Sequence, residues 1–166
     1  IEDLAIYRTL PNVIVMHPSD VVSTKLLTMQ LAESGSPSYT RTARNKTPVL
    51  YEGREDEIEI GKGVVLREGK DVAIIACGVM VSQSLEAADA LAAEGISAAV
   101  VDMHTLKPLD GELIDRLVAT CGALVTAEDH NVIGGLGGAV AEHLTSNAYA
   151  PLSLIHISEP TRQAEI

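Results

Sequence analysis

Near the start of the chain, apolar residues fall into blocks with two different periods. Ile1, Leu4, Ala5 and Ile6 stand at helical spacing and stop before Pro11, which predicts a helix closing on a turn. Residues 13–16 form an unbroken apolar run between Asn12 and Pro18, as expected of a strand buried on both faces. Ser19 or Asp20 can cap a following helix. Its positions Val21, Val22, Leu26, Leu27, Met29 and Leu31 make one broad face before Gly35 stops it. A second strand is expected over residues 38–42. Helix, strand, helix, strand reads as the closing part of an α/β unit whose earlier strands precede Ile1. A sheet cut at that point should leave residues 13–16 as an exposed apolar edge.

The pattern loosens over residues 43–70, where Pro48, several glycines and a charged run, 54–59, predict a linker leading into a short strand pair. The carboxylates of that run follow no calcium-loop spacing, so a solvated surface is expected and no metal is assigned. From Asp71 the rhythm becomes regular. DVAIIACG reads as a buried strand, followed by a helix with Val81, Leu85, Ala88 and Ala92 on one stripe and Gly95 as its stop. SAAVVDM is the next strand, Gly111–Thr120 a helix, GALVTAED another strand, and a glycine-rich turn at 134–138 opens a last helix through Leu144. Three successive strand–helix units with short turns predict a mainly parallel sheet covered on both faces.

One more edge element is expected after that helix, and LSLIHIS alternates well enough to be a strand. LSLIHISEPTR nevertheless matches what one reading frame of a transposon-end sequencing adapter encodes, with QAEI resembling its continuation. Residues 152–166 are therefore expected to be a non-native tail, and His156, Glu159 and Arg162 are given no role.

Composition narrows the function classes. With 46% hydrophobic residues and a mean hydropathy of +0.20, the 166-residue chain has ample material for a core. No apolar run approaches the roughly 18 residues of a membrane span. The net charge of −11, and aromatics limited to four tyrosines, argue against nucleic acid as a partner. Cys77 and Cys121 form no metal-ligand or CxxC spacing, which suits a reducing compartment and makes cytoplasm the expected location.

Candidate chemistry is sparse. No nucleophile elbow, HExxH or P-loop is present, and no carboxylate pair suggests an acid–base couple. His17 and His104 follow strands at the carboxyl edge, where α/β proteins place their sites, but a hydrogen-bonded structural histidine is the plainer reading, and His130 has no assigned role. In EDHNVIGGLGGAV, bare amides between strand and helix could hold an anion, although Val140 stands where a dinucleotide fingerprint needs its third glycine. Close helix–strand packing or contact with a neighbouring subunit would explain the same glycines. Arg41 and Arg44, in YTRTARNK, end a strand in an otherwise acidic chain. Each could grip a phosphate with a bidentate fork, or be a surface arginine without a partner.

Taken in order, IEDLAIYRTLPNVIVMHPSD, PSYTRTARNK, IGKGVVLREGKDVAIIACGVMVSQSLEAADALAAEGI, VVDMHTLKPLD and VTAEDHNVIGGLGGAVAEHL resemble the transketolase family, and are similar above all to the C-terminal subunit of split transketolases. The resemblance runs from Ile1 to about Pro151. It implies a partial thiamine pyrimidine-binding domain over 1–45, a linker over 46–57 and a transketolase C-terminal domain over 58–151, both domains being α/β. It further implies a carbohydrate-metabolism transferase of the pentose-phosphate type, moving ketol units between sugar phosphates on thiamine diphosphate with magnesium. The family's phosphate-binding arginine matches Arg44, with Arg41 as a neighbour that could assist. The activating glutamate, the histidine motif near substrate and the diphosphate-binding domain precede Ile1 in the family pattern. An N-terminal subunit or domain is thus the implied partner, in a homodimer or heterotetramer, and the fragment alone is expected to be inactive. A 1-deoxy-D-xylulose-5-phosphate synthase or a 2-oxo acid dehydrogenase β subunit are the alternative enzymes. A non-catalytic association module is the alternative of another class.

Overall fold

The computed structural model describes residues 2–44, 46–131 and 133–147, and the backbone of 154–158. Helix α1 (Asp3–Thr9) leads to strand β1 (Ile14–Met16), helix α2 (Val21–Ser34) and strand β2 (Ser38–Thr40). A 3-10 turn at Glu55–Glu57 and strand β3 (Val64–Arg67) follow. Then come β4 (Val72–Ala76), α3 (Met80–Ala93), β5 (Ala98–Asp102), β6 (Thr105–Lys107), α4 (Gly111–Thr120), β7 (Leu124–Glu128), α5 (Leu136–Ser146) and β8 (Leu154–Ser158). The fold is mixed α/β, as the patterns predict.

The start of α2 shows why the sequence stops and starts where it does. One Asp20 carboxylate oxygen accepts from the Ser23 amide at 2.7 Å, and the Ser23 hydroxyl accepts in return from the Asp20 amide at 3.1 Å, a reciprocal capping box. The other Asp20 oxygen accepts from the amides of Leu50 and Tyr51 at 2.8 and 3.2 Å. One side chain therefore starts the helix and pins the segment read as a linker. At the far end, Gly35 takes the left-handed conformation (φ 63°) that closes the helix.

Two sheets form, ordered β2-β1-β6 and β3-β5-β4-β7-β8. β1 runs parallel to β2 and antiparallel to β6, so the expected exposed edge at 13–16 is instead the centre of a three-stranded sheet. Val15 and Met16 are fully buried there. The covering strand is three residues of TLK, too short to show a period, and its pairing partner lies far back in sequence. Likewise β3 pairs antiparallel with β5 and not with its sequence neighbour β4, which corrects the expected strand pair. Strands β5, β4, β7 and β8 are parallel. The crossover β4–α3–β5 moves in one direction along the sheet, and β5–α4–β7 and β7–α5–β8 in the other. Right-handed connections accordingly put α3 on one face and α4 with α5 on the opposite one. Two core clusters reflect this: Ile75, Leu113, Ile114, Leu117, Leu136 and Val140 on the α4/α5 face, and Ile74, Met80, Val81, Ala88 and Val100 on the α3 face. Ala92, expected on the α3 stripe, is exposed, and Ser84 is buried in its place with its hydroxyl donating to the Met80 carbonyl at 2.7 Å.

β8 occupies the position where one more edge element was expected, paired in register with β7 from Leu124↔Leu154 to Glu128↔Ser158. Residues 152, 153 and 159–166 of the segment read as a non-native tail lie outside the described residues.

Candidate functional site

The carboxyl ends of β1, β2, β4, β5 and β7 converge, and main-chain hydrogen bonds lock them together. The His17 amide donates to the His104 carbonyl at 2.8 Å and the Gly78 amide to the His17 carbonyl at 3.0 Å. The Arg41 amide donates to the Met16 carbonyl at 2.9 Å and that of Met103 to the Ala76 carbonyl at 2.7 Å. The two sheets thus meet at the carboxyl ends of these strands.

A cleft of about 490 Å³ opens at this junction, lined on one side by His17, Arg41, Arg44 and Lys46 and on the other by Ser82, Gln83 and Asp129. The two arginines singled out from sequence have different fates in it. Arg41 is turned inward, its side chain 16% exposed. It donates to the Asp129 carbonyl, lies 3.2 Å from the Asp129 carboxylate and sits 3.6 Å from Asp3. Its charge is absorbed in tying α1 to the turn after β7. Arg44 is exposed on the lip of the cleft, with no hydrogen bond or ion pair to another described residue, and Lys46 is exposed beside it. Of the two arginines, Arg44 keeps a free guanidinium for an incoming anion.

His17 is 1% exposed. Burial, reinforced by the Arg41 charge, pushes its pKa down to about 3, so the imidazole is neutral at physiological pH. Nδ1 faces the Cys77 sulfur at 3.7 Å, and that thiol is itself pushed up by burial. The ring lies against Gly78, where a Cβ would overlap it and φ is +57°, so glycine is required twice over at that position. His104 is fully buried with Nδ1 3.0 Å from the Thr105 hydroxyl, and burial pushes its pKa down to about 4. His130 accepts from the Ala5 amide through Nε2 at 3.4 Å, and its Nδ1 is 2.8 Å from the Asn131 carbonyl. In that pattern Nε2 accepts and Nδ1 donates. His104 Nε2 is buried with no hydrogen-bond partner among the described residues, whereas both ring nitrogens of His130 are engaged.

The bare amides of the glycine-rich turn are filled, and the group that fills them belongs to the chain. Glu128, fully buried at the end of β7, accepts from the amides of Leu136 and Gly137 at 2.7 and 2.9 Å, filling the N-terminus of α5. A Cβ on Gly135 would overlap that carboxylate. Arg8 clasps the same turn from outside, donating to the carbonyls of Gly134 and Gly135 at 2.5 and 3.1 Å and pairing with Glu142 at 2.6 Å.

A second buried carboxylate escaped the sequence reading. Asp102 ends β5 with no exposure, and its Oδ2 accepts from the Ser19 hydroxyl at 2.5 Å and the Tyr51 hydroxyl at 2.9 Å. Oδ1 has no partner among the described residues. Desolvation outweighs the two donors and pushes the Asp102 pKa up to about 7. The only signal in the sequence was a lone Asp closing the apolar run AAVV.

The profile of the transketolase C-terminal domain matches residues 61–157, more than half of the chain. The chain belongs to the transketolase family. A Methanocaldococcus jannaschii protein described as a transketolase C-terminal section is 46% identical over 147 residues, covering 88% of this chain and 46% of that relative. A 6-deoxy-6-sulfo-D-fructose transketolase subunit of a Clostridium species is 40% identical over 158 residues, covering 95% of this chain and 49% of its own length. Among solved structures, one described as a split-gene transketolase, inactive β4 tetramer, superposes with a TM-score of 0.90 at 46% identity, covering 96% of this chain and 52% of that one. A Pichia stipitis transketolase in complex with sedoheptulose 7-phosphate gives 0.69 at 26% identity, covering 81% and 21%. The chain therefore spans about half the length of the curated relatives it matches first.

The family implies thiamine diphosphate and a divalent metal, and the described residues do not fit the metal. Among them no group of three or more His, Cys, Asp or Glu side chains is placed to hold a metal ion. The buried carboxylates Asp20, Asp102 and Glu128 each accept internal hydrogen bonds. Among the described residues no helix is long and apolar enough to cross a membrane.

Proposed function

We propose that the parent protein transfers two-carbon ketol units between sugar phosphates, and that this chain supplies the phosphate-facing wall of its site. The observation that carries the reading is Arg44, exposed and unpaired on the lip of the cleft while its neighbour Arg41 is consumed by Asp3 and Asp129. The likeness to a transketolase described with sedoheptulose 7-phosphate supports a phosphorylated sugar as ligand. Thiamine diphosphate and magnesium are assigned to residues outside those described, on the implied N-terminal subunit or domain, in a homodimer or heterotetramer. The free, buried cysteines support a cytoplasmic location.

The test is reconstitution with that N-terminal partner, using xylulose 5-phosphate and ribose 5-phosphate as substrates. Turnover should require the partner, thiamine diphosphate and magnesium together. Arg44→Ala should raise KM for phosphorylated acceptors about tenfold or more, with little change for an unphosphorylated aldehyde. Turnover by this chain alone, or without thiamine, would overturn the reading. Acceptance of pyruvate in place of a ketose phosphate would move the parent to 1-deoxy-D-xylulose-5-phosphate synthase, and a lipoyl acceptor to a 2-oxo acid dehydrogenase. A second reading, a subunit-association module, is favoured by the description of the 46%-identical relative as an inactive β4 tetramer. It predicts assembly with unchanged affinity for sugar phosphates in Arg44→Ala.

A foreign origin for residues 152–166 is proposed alongside. Pairing of β8 with β7 rests on main-chain groups, and an alternating segment of any source can make it. Peptide mapping of the protein from its natural source decides the point, and recovery of a peptide containing HISEPTR would refute it.

A further inference from the structure

His17 is a buried polar side chain with one nitrogen left over. Its ring is boxed by Cys77 on the Nδ1 side and by Gly78 over its face, and its main chain is bonded on both sides to the neighbouring strand ends. Its position is therefore fixed. Nε2 has no hydrogen-bond partner among the described residues, while the residue lines the same cleft that carries Arg44 and Lys46 at its lip. Unlike His104 Nε2, which is fully enclosed, it is reached from the cleft, where a ligand group can take the place of water.

We infer that His17 is a specificity-determining contact, hydrogen-bonding through Nε2 to a hydroxyl of the phosphorylated ligand whose phosphate Arg44 holds. This rests on the proposed sugar-phosphate reading and deepens it. The cationic groups stand at the mouth, where a dianion keeps part of its hydration, and the neutral imidazole stands inside, where a charge would be expensive. A hydroxyl suits that inner position because it can both donate and accept. It pairs with His17 whether Nδ1 donates to the Cys77 sulfur, leaving Nε2 an acceptor, or the Cys77 thiol donates to Nδ1, leaving Nε2 a donor. Ser82 and Gln83 line the opposite wall and offer further neutral partners. The cleft so built ranks ligands by what lies behind the phosphate.

The inference is tested on the full 166-residue chain by titration with inorganic phosphate and, separately, with ribose 5-phosphate. The wild type should bind the sugar phosphate about tenfold more tightly than phosphate, the preference expected of one well-made buried hydrogen bond. His17→Phe should reduce that preference to within about twofold of unity while leaving the affinity for phosphate unchanged, whereas Arg44→Ala should weaken both ligands. Because a buried substitution can unfold the chain, nitrogen-15 spectra of the wild-type imidazoles provide the second measurement. The His17 Nε2 resonance should move with ribose 5-phosphate and stay still with phosphate. Binding of both ligands with equal affinity, or a His17 resonance indifferent to the sugar, overturns the inference and leaves the phosphate site standing. Failure of the wild type to bind either ligand overturns this inference together with the phosphate site at Arg44, while the ketol-transfer reading is decided by the reconstitution assay.

Discussion

Replacing Asp102 with asparagine should stabilise this protein at alkaline pH and not at acidic pH. The wild-type carboxyl has a folded pKa of about 7 against roughly 3.9 in an unfolded chain. Between those values the folded protein keeps a proton that the unfolded chain releases, so stability falls as pH rises through the window and levels off above it. A gap of about three pH units, at about 1.4 kcal/mol each, makes the full cost about 4 kcal/mol at pH 8. In Asp102→Asn the new side chain keeps an oxygen to accept from Ser19 and Tyr51, but it places an amide where Oδ1 has no partner. That unsatisfied donor costs roughly 1–3 kcal/mol. The balance is a gain on the order of 1–3 kcal/mol at pH 8 and a small loss at pH 5. Urea denaturation of both proteins at pH 5, 6.5 and 8 reads the effect, and their difference removes the titration of every other carboxylate. A difference that is flat across pH, or a variant weaker than wild type at pH 8, would show that Asp102 ionises normally and refute the reasoning.

Two further outcomes follow from buried carboxylates that are satisfied. Glu128→Ala should cost about 3 kcal/mol in urea denaturation by stripping the Leu136 and Gly137 amides, and Gly135→Ala should cost a similar amount by displacing the same carboxylate. The double variant should be no weaker than the worse single one, and simple additivity in that cycle would argue against a shared cause. Asp20→Ala removes both the α2 cap and the partner of the Leu50 and Tyr51 amides, so a loss of about 2–3 kcal/mol and faster proteolysis within 46–57 are expected. Unchanged cleavage there would mean that the segment is held by Tyr51 alone.

The elements were legible wherever a period had room to repeat. Helix Gly111–Thr120 and strands β4, β5 and β7 coincide with the apolar patterns, because a buried stripe or run is a local property of the sequence. What was illegible is non-local. Strand β6 is three residues long and is defined by its pairing with β1, and β3 chooses β5 across an intervening strand and helix. The site divides the same way. Arg44 could be marked from its place after a strand, whereas His17 reads as structural, and the division of labour between Arg41 and Arg44 depends on Asp3 and Asp129, which nothing in YTRTARNK announces. Tyr51 lay inside a segment read as a linker, and its burial against Asp102 has no periodic signature at all.

That pairing bears on the expected division of the chain at 46–57. β6 is continuous in sequence with β5, yet it completes the sheet of β1 and β2, and Asp102, immediately before the connection, binds Ser19 from one unit and Tyr51 from the segment between them. The cleft has walls from both sides of this seam. Its shape is therefore a property of the seam, and a cut at residues 46–57 would not yield two independent halves. Separated, the first would expose Val15 and Met16 along the β1 edge that β6 had covered, and the second would leave Asp102 without the Ser19 donor. The fold thus couples the integrity of the wall that carries Arg44 to the buried Asp102 carboxyl, which is why Asp102, remote from Arg44 in sequence, is the position at which stability and the cleft can be perturbed together.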